Sequence, residues 1–192
     1  MISLERKTKE TGISVNLNIK GKGNYKINVE NQPFFQHMLE AFAKNAAFDI
    51  EITASGDLQH HIVEDCAIVL GQAFDKAIAN KQNIARYGSF ILAMGDALVL
   101  VSVDISGRPY FSVEYNYPNF KDCTIENFDL ENIEEFMRAF ANNAKITLQI
   151  KVLNGTNRHH IAEAIFKCLG RALRIAVSED KVIEMPSTKG IL

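Results

Sequence analysis

The chain of 192 residues is 47% hydrophobic and 23% charged, a globular make-up that excludes a disordered tail or a fibre. That length accommodates one large domain or two small, closely joined ones. Its 21 basic and 23 acidic residues leave a formal charge of −2, which argues against a nucleic-acid binder relying on a broad basic surface.

The N-terminal Met-Ile-Ser-Leu-Glu-Arg-Lys does not read as a signal peptide. Ile13, Val15, Leu17 and Ile19 alternate with Ser14, Asn16 and Asn18, the period-2 pattern of a half-buried strand. A helix is expected over 33–46, then a strand through Phe48, Ile50 and Ile52. The next helix, 60–79, carries Cys66, Val69, Leu70, Ala73, Phe74 and Ala77 as an apolar stripe. Lys81–Arg86 reads as a linker. Beyond it, Val99, Val101, Val103 and Ile105 suggest a more deeply buried strand. A helix at 130–144, a strand through Ile146, Leu148, Ile150 and Val152, and a helix at 159–178 complete the series. Phe90–Ile105 is the longest apolar candidate, but it holds Gly95, Asp96 and Asp104, so no membrane span is expected. Cys66, Cys123 and Cys168 are odd in number and form no CxxC, which predicts reduced thiols in a cytoplasmic protein.

The chain also repeats itself. HHIVEDCAIVLGQAFDKAI (60–78) and HHIAEAIFKCLGRALRIAV (159–177) share His, His, Ile, Glu, Leu, Gly, Ala and Ala at an offset of 99. AFAKNA (41–46) matches AFANNA (139–144) at an offset of 98, so one residue separates the two blocks. A repeat this long exceeds a solenoid unit. The expected architecture is therefore α+β, with two fused half-domains at 1–85 and 86–192. Each is a small mixed or antiparallel sheet with two helices covering one face, and together they form one compact unit.

Four of the five histidines lie in the two His-His pairs, and the fifth is His37. At about 100° per residue, Glu64 falls at about 40° and His61 at about 100° if His60 is set to zero. His159, His160 and Glu163 repeat that spacing. One such motif is ordinarily a polar helix face. Two at matched positions, in a chain with a single other histidine, point to a divalent transition metal held by imidazole nitrogen and carboxylate oxygen. Six ligands would serve two metals. No HExxH is present, which excludes that protease arrangement. Glu135 aligns with His37 at the offset of 98, so each copy has one further ligand candidate, although Glu135 taken alone is an ordinary helix acid.

Arg86, Arg108 in its Ser-Gly-Arg-Pro turn, and Ser187, Thr188 and Lys189 in the tail are donors suited to a phosphate dianion. Lys167, four residues after Glu163, should lie near the metals.

These residues carry a resemblance to the imidazoleglycerol-phosphate dehydratase family over essentially the whole chain. The matching stretches are Thr-Lys-Glu-Thr (8–11), Phe-Phe-Gln-His-Met-Leu (34–39), His-His-Ile-Val-Glu-Asp (60–65) and Arg-Tyr-Gly-Ser (86–89). Asp-Ile-Ser-Gly-Arg-Pro-Tyr (104–110), His-His-Ile-Ala-Glu-Ala (159–164) and Pro-Ser-Thr-Lys-Gly (186–190) complete the set. The resemblance implies a lyase of histidine biosynthesis with two divalent ions, manganese in the family. Its ligands would be His37, His60, His61, Glu64, Glu135, His159, His160 and Glu163. It further implies Glu10 as the base, a phosphate grip of Arg86, Arg108, Ser187 and Lys189, and Lys167 near a small imidazole phosphate substrate. The family assembles as a large homo-oligomer, a 24-mer, whose subunits share active sites; no nucleic acid or membrane partner is expected.

Four features depart from the family pattern: Gln36 before the helix histidine, a shortened Asp57-Leu58-Gln59 approach to His60, Met94-Gly95-Asp96, and Gln149. Outer partners of this kind tune metal affinity. Two readings follow, an active dehydratase and a metal-stapled oligomeric scaffold that no longer turns over. The filled ligand, base and phosphate positions favour the first.

Overall fold

The computed structural model describes residues 1–116 and 120–190. The first half runs β1 (Ile2–Lys7), β2 (Thr11–Asn18), β3 (Tyr25–Val29), α1 (Pro33–Ala46), β4 (Asp49–Gly56) and α2 (Gln59–Ala77). The second half repeats the order as β5 (Tyr87–Met94), β6 (Ala97–Asp104), β7 (Tyr110–Tyr115), α3 (Glu131–Ala144), β10 (Thr147–Asn154) and α4 (Arg158–Ala176). A short hairpin, β8 (Thr124–Ile125) and β9 (Phe128–Asp129), is added before α3. The sheets have matching orders, β1-β2-β4-β3 and β5-β6-β10-β7. In each, only the pair joined through a helix is parallel, β3 with β4 and β7 with β10. The α+β expectation of two similar halves holds.

The one-residue gap in the repeat has a location. The loop before α2 is Asp57-Leu58, whereas Gly155-Thr156-Asn157 precedes α4 after a register shift between Val152 and Asn154. Helices α2 and α4 stop at Ala77 and Ala176, two residues short of the sequence expectation. Ile78 and Val177 continue the apolar pattern after regular helix has ended.

Alternation sends Ile13, Val15 and Leu17, and likewise Val99, Val101 and Val103, to the inner face of each sheet. The helices lie on those faces, and the two helical layers pack on each other, α1 against α4 and α2 against α3. The result is four layers, sheet–helices–helices–sheet. Phenylalanines bridge the middle, with Phe35, Phe136 and Phe140 essentially inaccessible and Phe74 of α2 packed against Phe140 of α3 at 5.9 Å. Among the described residues no helix is long and apolar enough to cross a membrane.

Glycine sets the helix separation. A Cβ at Gly71 would lie 2.8 Å from the Phe140 carbonyl oxygen, and one at Gly170 2.7 Å from that of Phe42. Both obstacles are backbone, which cannot swing aside. Gly170→Ala should therefore destabilise the fold by about 1–3 kcal/mol through overpacking. A lower urea midpoint at unchanged m-value is the expected reading.

Candidate active site

Helix α1 brings His37 of the first half to the start of α4 in the second. There His159 Nε2 lies 3.2 Å and His37 Nε2 3.6 Å from Glu163 Oε2. All three donor atoms fall within 4.8 Å of one another. Two ligands at right angles on one ion, each about 2.1 Å from it, would be about 3 Å apart, so this trio fits one divalent cation. Phe34 packs edge-on against His159 at 5.5 Å. Lys167 Nζ donates to the other carboxylate oxygen, Oε1, at 2.7 Å, which leaves Oε2 turned towards the imidazoles. Burial pushes the Glu163 carboxyl up, but the Lys167 hydrogen bond and charge, with His37 and His159, outweigh it and the pKa is lowered.

The counterpart residues in the first half are placed differently. His60 Nδ1 is 3.2 Å from Asn132 Oδ1, and Glu135 pairs with Arg138 at 2.8 Å. Among the described residues His60, Glu64 and Glu135 do not form a second such cluster. Nor do neighbouring histidines converge, because about 100° of helix turn separates their side chains. His61 turns to Asp57 (2.8 Å) and His160 to Asp96 (2.8 Å), each through Nδ1. Each carboxylate thereby holds its ring with a proton on Nδ1 and a lone pair on Nε2, the tautomer a metal ligand requires. The hydrogen bond lowers the Asp57 pKa and raises that of His61. Backbone N–H groups of Thr156 and Asn157, then His160, hold Asp96 well below the usual carboxylate range.

Glu10 sits in the β1–β2 turn with its carboxylate 4.0 Å from His61 Nδ1. Its counterpart position, just before β6, is Asp96.

At the far end of α4, Arg108, Ser187 and Lys189 line a cavity of about 430 Å³ with Arg86, Ser106 and Thr188. Arg86 is already engaged. Its Nε and Nη2 donate to Asp104 at 2.7 and 3.1 Å, and Nη1 donates to the Pro186 carbonyl at 2.6 Å. The Asp104 hydrogen bond raises the Arg86 pKa against the effect of burial. This side chain thus fastens the tail that carries Ser187 and Lys189.

The profile of the family described as imidazoleglycerol-phosphate dehydratase matches residues 31–173. The chain belongs to that family. It is 52% identical to the imidazoleglycerol-phosphate dehydratase of Thermoanaerobacter pseudethanolicus, over 98% of this chain and 97% of the relative. The Nitratiruptor sp. protein of the same name is 49% identical over the full length of both chains. Among solved structures, the Pyrococcus furiosus protein in complex with (S)-C348 superposes with a TM-score of 0.85 at 42% identity, covering 98% of this chain and all of that one. The Staphylococcus aureus imidazoleglycerol-phosphate dehydratase gives 0.81 at 36% identity, over 93% and 98%.

The departures from the family pattern each have a structural setting. Gln36 accepts the Val29 N–H at 3.2 Å and donates to Glu40, fastening β3 to α1. Gly95 adopts φ +56°, and a Cβ there would meet His160 Nδ1 at 2.7 Å, so this glycine leaves room for the imidazole. Gln149 is exposed on β10 between Ser102 and Ser112. Sequence reading missed the residues that orient the histidines. Asp57 stands four before His61, a spacing that could have signalled it. Asn132 and Gln59, joined at 2.8 Å, lock His60 to the second half, a contact no local pattern contains.

Proposed function

We propose that this protein dehydrates imidazoleglycerol phosphate in histidine biosynthesis, as a dimetal hydro-lyase working in the cytoplasm. The observation that carries this reading is the convergence of His37, His159 and Glu163 from two halves of the chain, with Lys167 shielding one carboxylate oxygen. Imidazole and carboxylate donors suit manganese, the family's metal, as well as zinc or iron. His37, His159 and Glu163 would hold one ion; His60, Glu64 and Glu135 stand at the matching positions in the other half, and His61 and His160 offer Nε2. When bound, the ions supply Lewis-acid polarisation of the substrate's imidazole. Hydroxide leaves the carbon attached to the ring, and Glu10 takes the C–H proton of the neighbouring, hydroxyl-bearing carbon, so that one water is lost overall. The resulting enol tautomerises to the ketone. The halves 1–85 and 86–192 act as one unit, because the α1–α4 contact assembles the ligands.

The phosphate belongs to Arg108, Ser187 and Lys189, held in place by Arg86. This cavity adjoins Ala176, whose carbonyl accepts the Arg86 N–H at 2.9 Å. Ala176 lies thirteen positions after Glu163 along α4, about 20 Å at 1.5 Å per residue. A substrate with three carbons between ring and phosphate is far shorter. The separation supports sites completed between copies in a large homo-oligomer, each copy giving metal ligands to one substrate and a phosphate grip to another.

Turnover of imidazoleglycerol phosphate by the manganese-loaded protein tests the reading. Formation of imidazole acetol phosphate is expected. No turnover by a fully loaded, assembled particle would leave only the metal-stapled scaffold. Arg108→Ala should raise KM about 10–100-fold, the loss of a charge-assisted hydrogen bond of about 1.5–3 kcal/mol, with bound metal unchanged.

A further inference from the structure

We propose that Asp65 is a positioning residue for Glu10, holding the turn that carries this base through the hydroxyls of Thr11 and Thr8. The inference rests on the reading of Glu10 given above.

Glu10 itself is loosely placed. Its side chain is 61% exposed, and its nearest ionic neighbour is His61 at 4.0 Å. Its location is therefore inherited from the backbone of residues 8–11.

That backbone is tied down by a chain of hydrogen bonds with only one possible direction. Asp65, on α2, is 8% exposed, and its carboxylate can only accept. The Thr11 hydroxyl accordingly donates to Asp65 Oδ2. With its proton committed, Thr11 Oγ1 acts as acceptor for the Thr8 hydroxyl, 3.1 Å away. Thr8 Oγ1 then accepts the N–H groups of Glu10 at 3.1 Å and Thr11 at 2.9 Å. Arg6 Nε balances the buried charge, donating to Asp65 Oδ1 at 2.8 Å. The Glu10 carbonyl is held from the other side by the Asp57 N–H at 3.1 Å, and Asp57 also orients His61. Base and histidine thus share one scaffold.

The other half of the chain supplies an internal control. The residue matching Asp65 in α4 is Ala164, fully buried among apolar neighbours, so the fold does not require a carboxylate there. The matching hairpin closes in two residues, Gly95-Asp96, without a hydroxyl relay. A buried carboxylate is costly unless fully partnered. At this helix position the carboxylate occurs only in the half whose hairpin carries Glu10, Ala164 standing in its place in the other. Since displacement of a reacting group by about 1 Å can cost about 10²-fold in rate, a clamp at this turn bears directly on the chemistry.

The test compares Thr11→Val, Thr11→Ser and Asp65→Asn in the assembled, manganese-loaded protein. Thr11→Val keeps volume and removes the relay; Thr8→Ala breaks the same relay one step later and serves if Asp65→Asn fails to fold. The expected result is a fall in kcat of about 10–100-fold with KM, metal content and particle size preserved, and recovery of most of it in Thr11→Ser. Amide hydrogen exchange at Glu10 and Thr11 should quicken about tenfold in Thr11→Val. Unchanged exchange there overturns the clamp. Faster exchange with full kcat, while Glu10→Gln is inactive, overturns the positioning role. A Glu10→Gln protein as active as the parent would instead overturn the base assignment, and with it any role for Asp65 in positioning a base.

Discussion

Glu10→Gln should lower kcat by about 10²–10⁴-fold, the usual worth of a positioned general base, while bound metal should stay at its original level. Glutamine keeps the shape and much of the hydrogen bonding of glutamate and loses only the ability to take a proton. Because the side chain is 61% exposed, the change should alter stability by less than about 0.5 kcal/mol. His160→Ala fails in another way. It deletes an imidazole that Asp96 anchors through Nδ1, so metal content, activity and stability should fall together. Metal stoichiometry and kcat measured on the same preparations separate the two. A Glu10→Gln enzyme with full turnover sends the proton to another group.

Metal removal has the second large effect. EDTA should shrink the particle in light scattering, and manganese should restore it. Among the described residues each chain brings three donors together in one cluster, His37, His159 and Glu163, while His61 and His160 turn to other sides of their helices. On the proposed reading, in which ligand sets are completed between copies, metal-binding free energy becomes assembly free energy. A particle of unchanged size after verified metal removal contradicts this coupling.

Much of the fold was legible because its central strands and helices are strongly periodic. Val15 and Leu17, or Val99 and Val101, face one layer and alternate cleanly. Strand β1 escaped notice because Glu5, Arg6 and Lys7 give an edge strand the polarity that discourages pairing with other chains. The hairpin β8–β9 was missed because each of its strands has only two residues. The site was legible as residue types but not as partnerships. Alignment of the repeats paired His37 with Glu135, which occupy matching places on α1 and α3. The contact that forms is between His37 and Glu163, across the two halves, and helix periodicity within one half says nothing about it. The roughly 100° between His60 and His61 was calculable, and it separates their partners: Asn132 in one direction, Asp57 in the other. Asp65 lay unread beside Glu64 because its partner Thr11 is 54 positions away.

The glycine crossings at Gly71 and Gly170 carry a consequence for ancestry. Each pair of helices has a sheet on one side and, on the other, only the helices of the opposite half. A chain of half this length with the same local structure would leave an apolar helical face open to water. It would cover that face most simply by pairing with an identical copy through an isologous interface. The offset of 99 that relates Gly71 to Gly170 is what fusion of two such subunits would leave. Fusion of such subunits through residues 78–86 would turn a concentration-dependent association into an intramolecular one. Once joined, the copies could diverge, and Glu10 with its buried Asp65 on one side, against Asp96 and Ala164 on the other, is a division of labour that identical subunits could not have made.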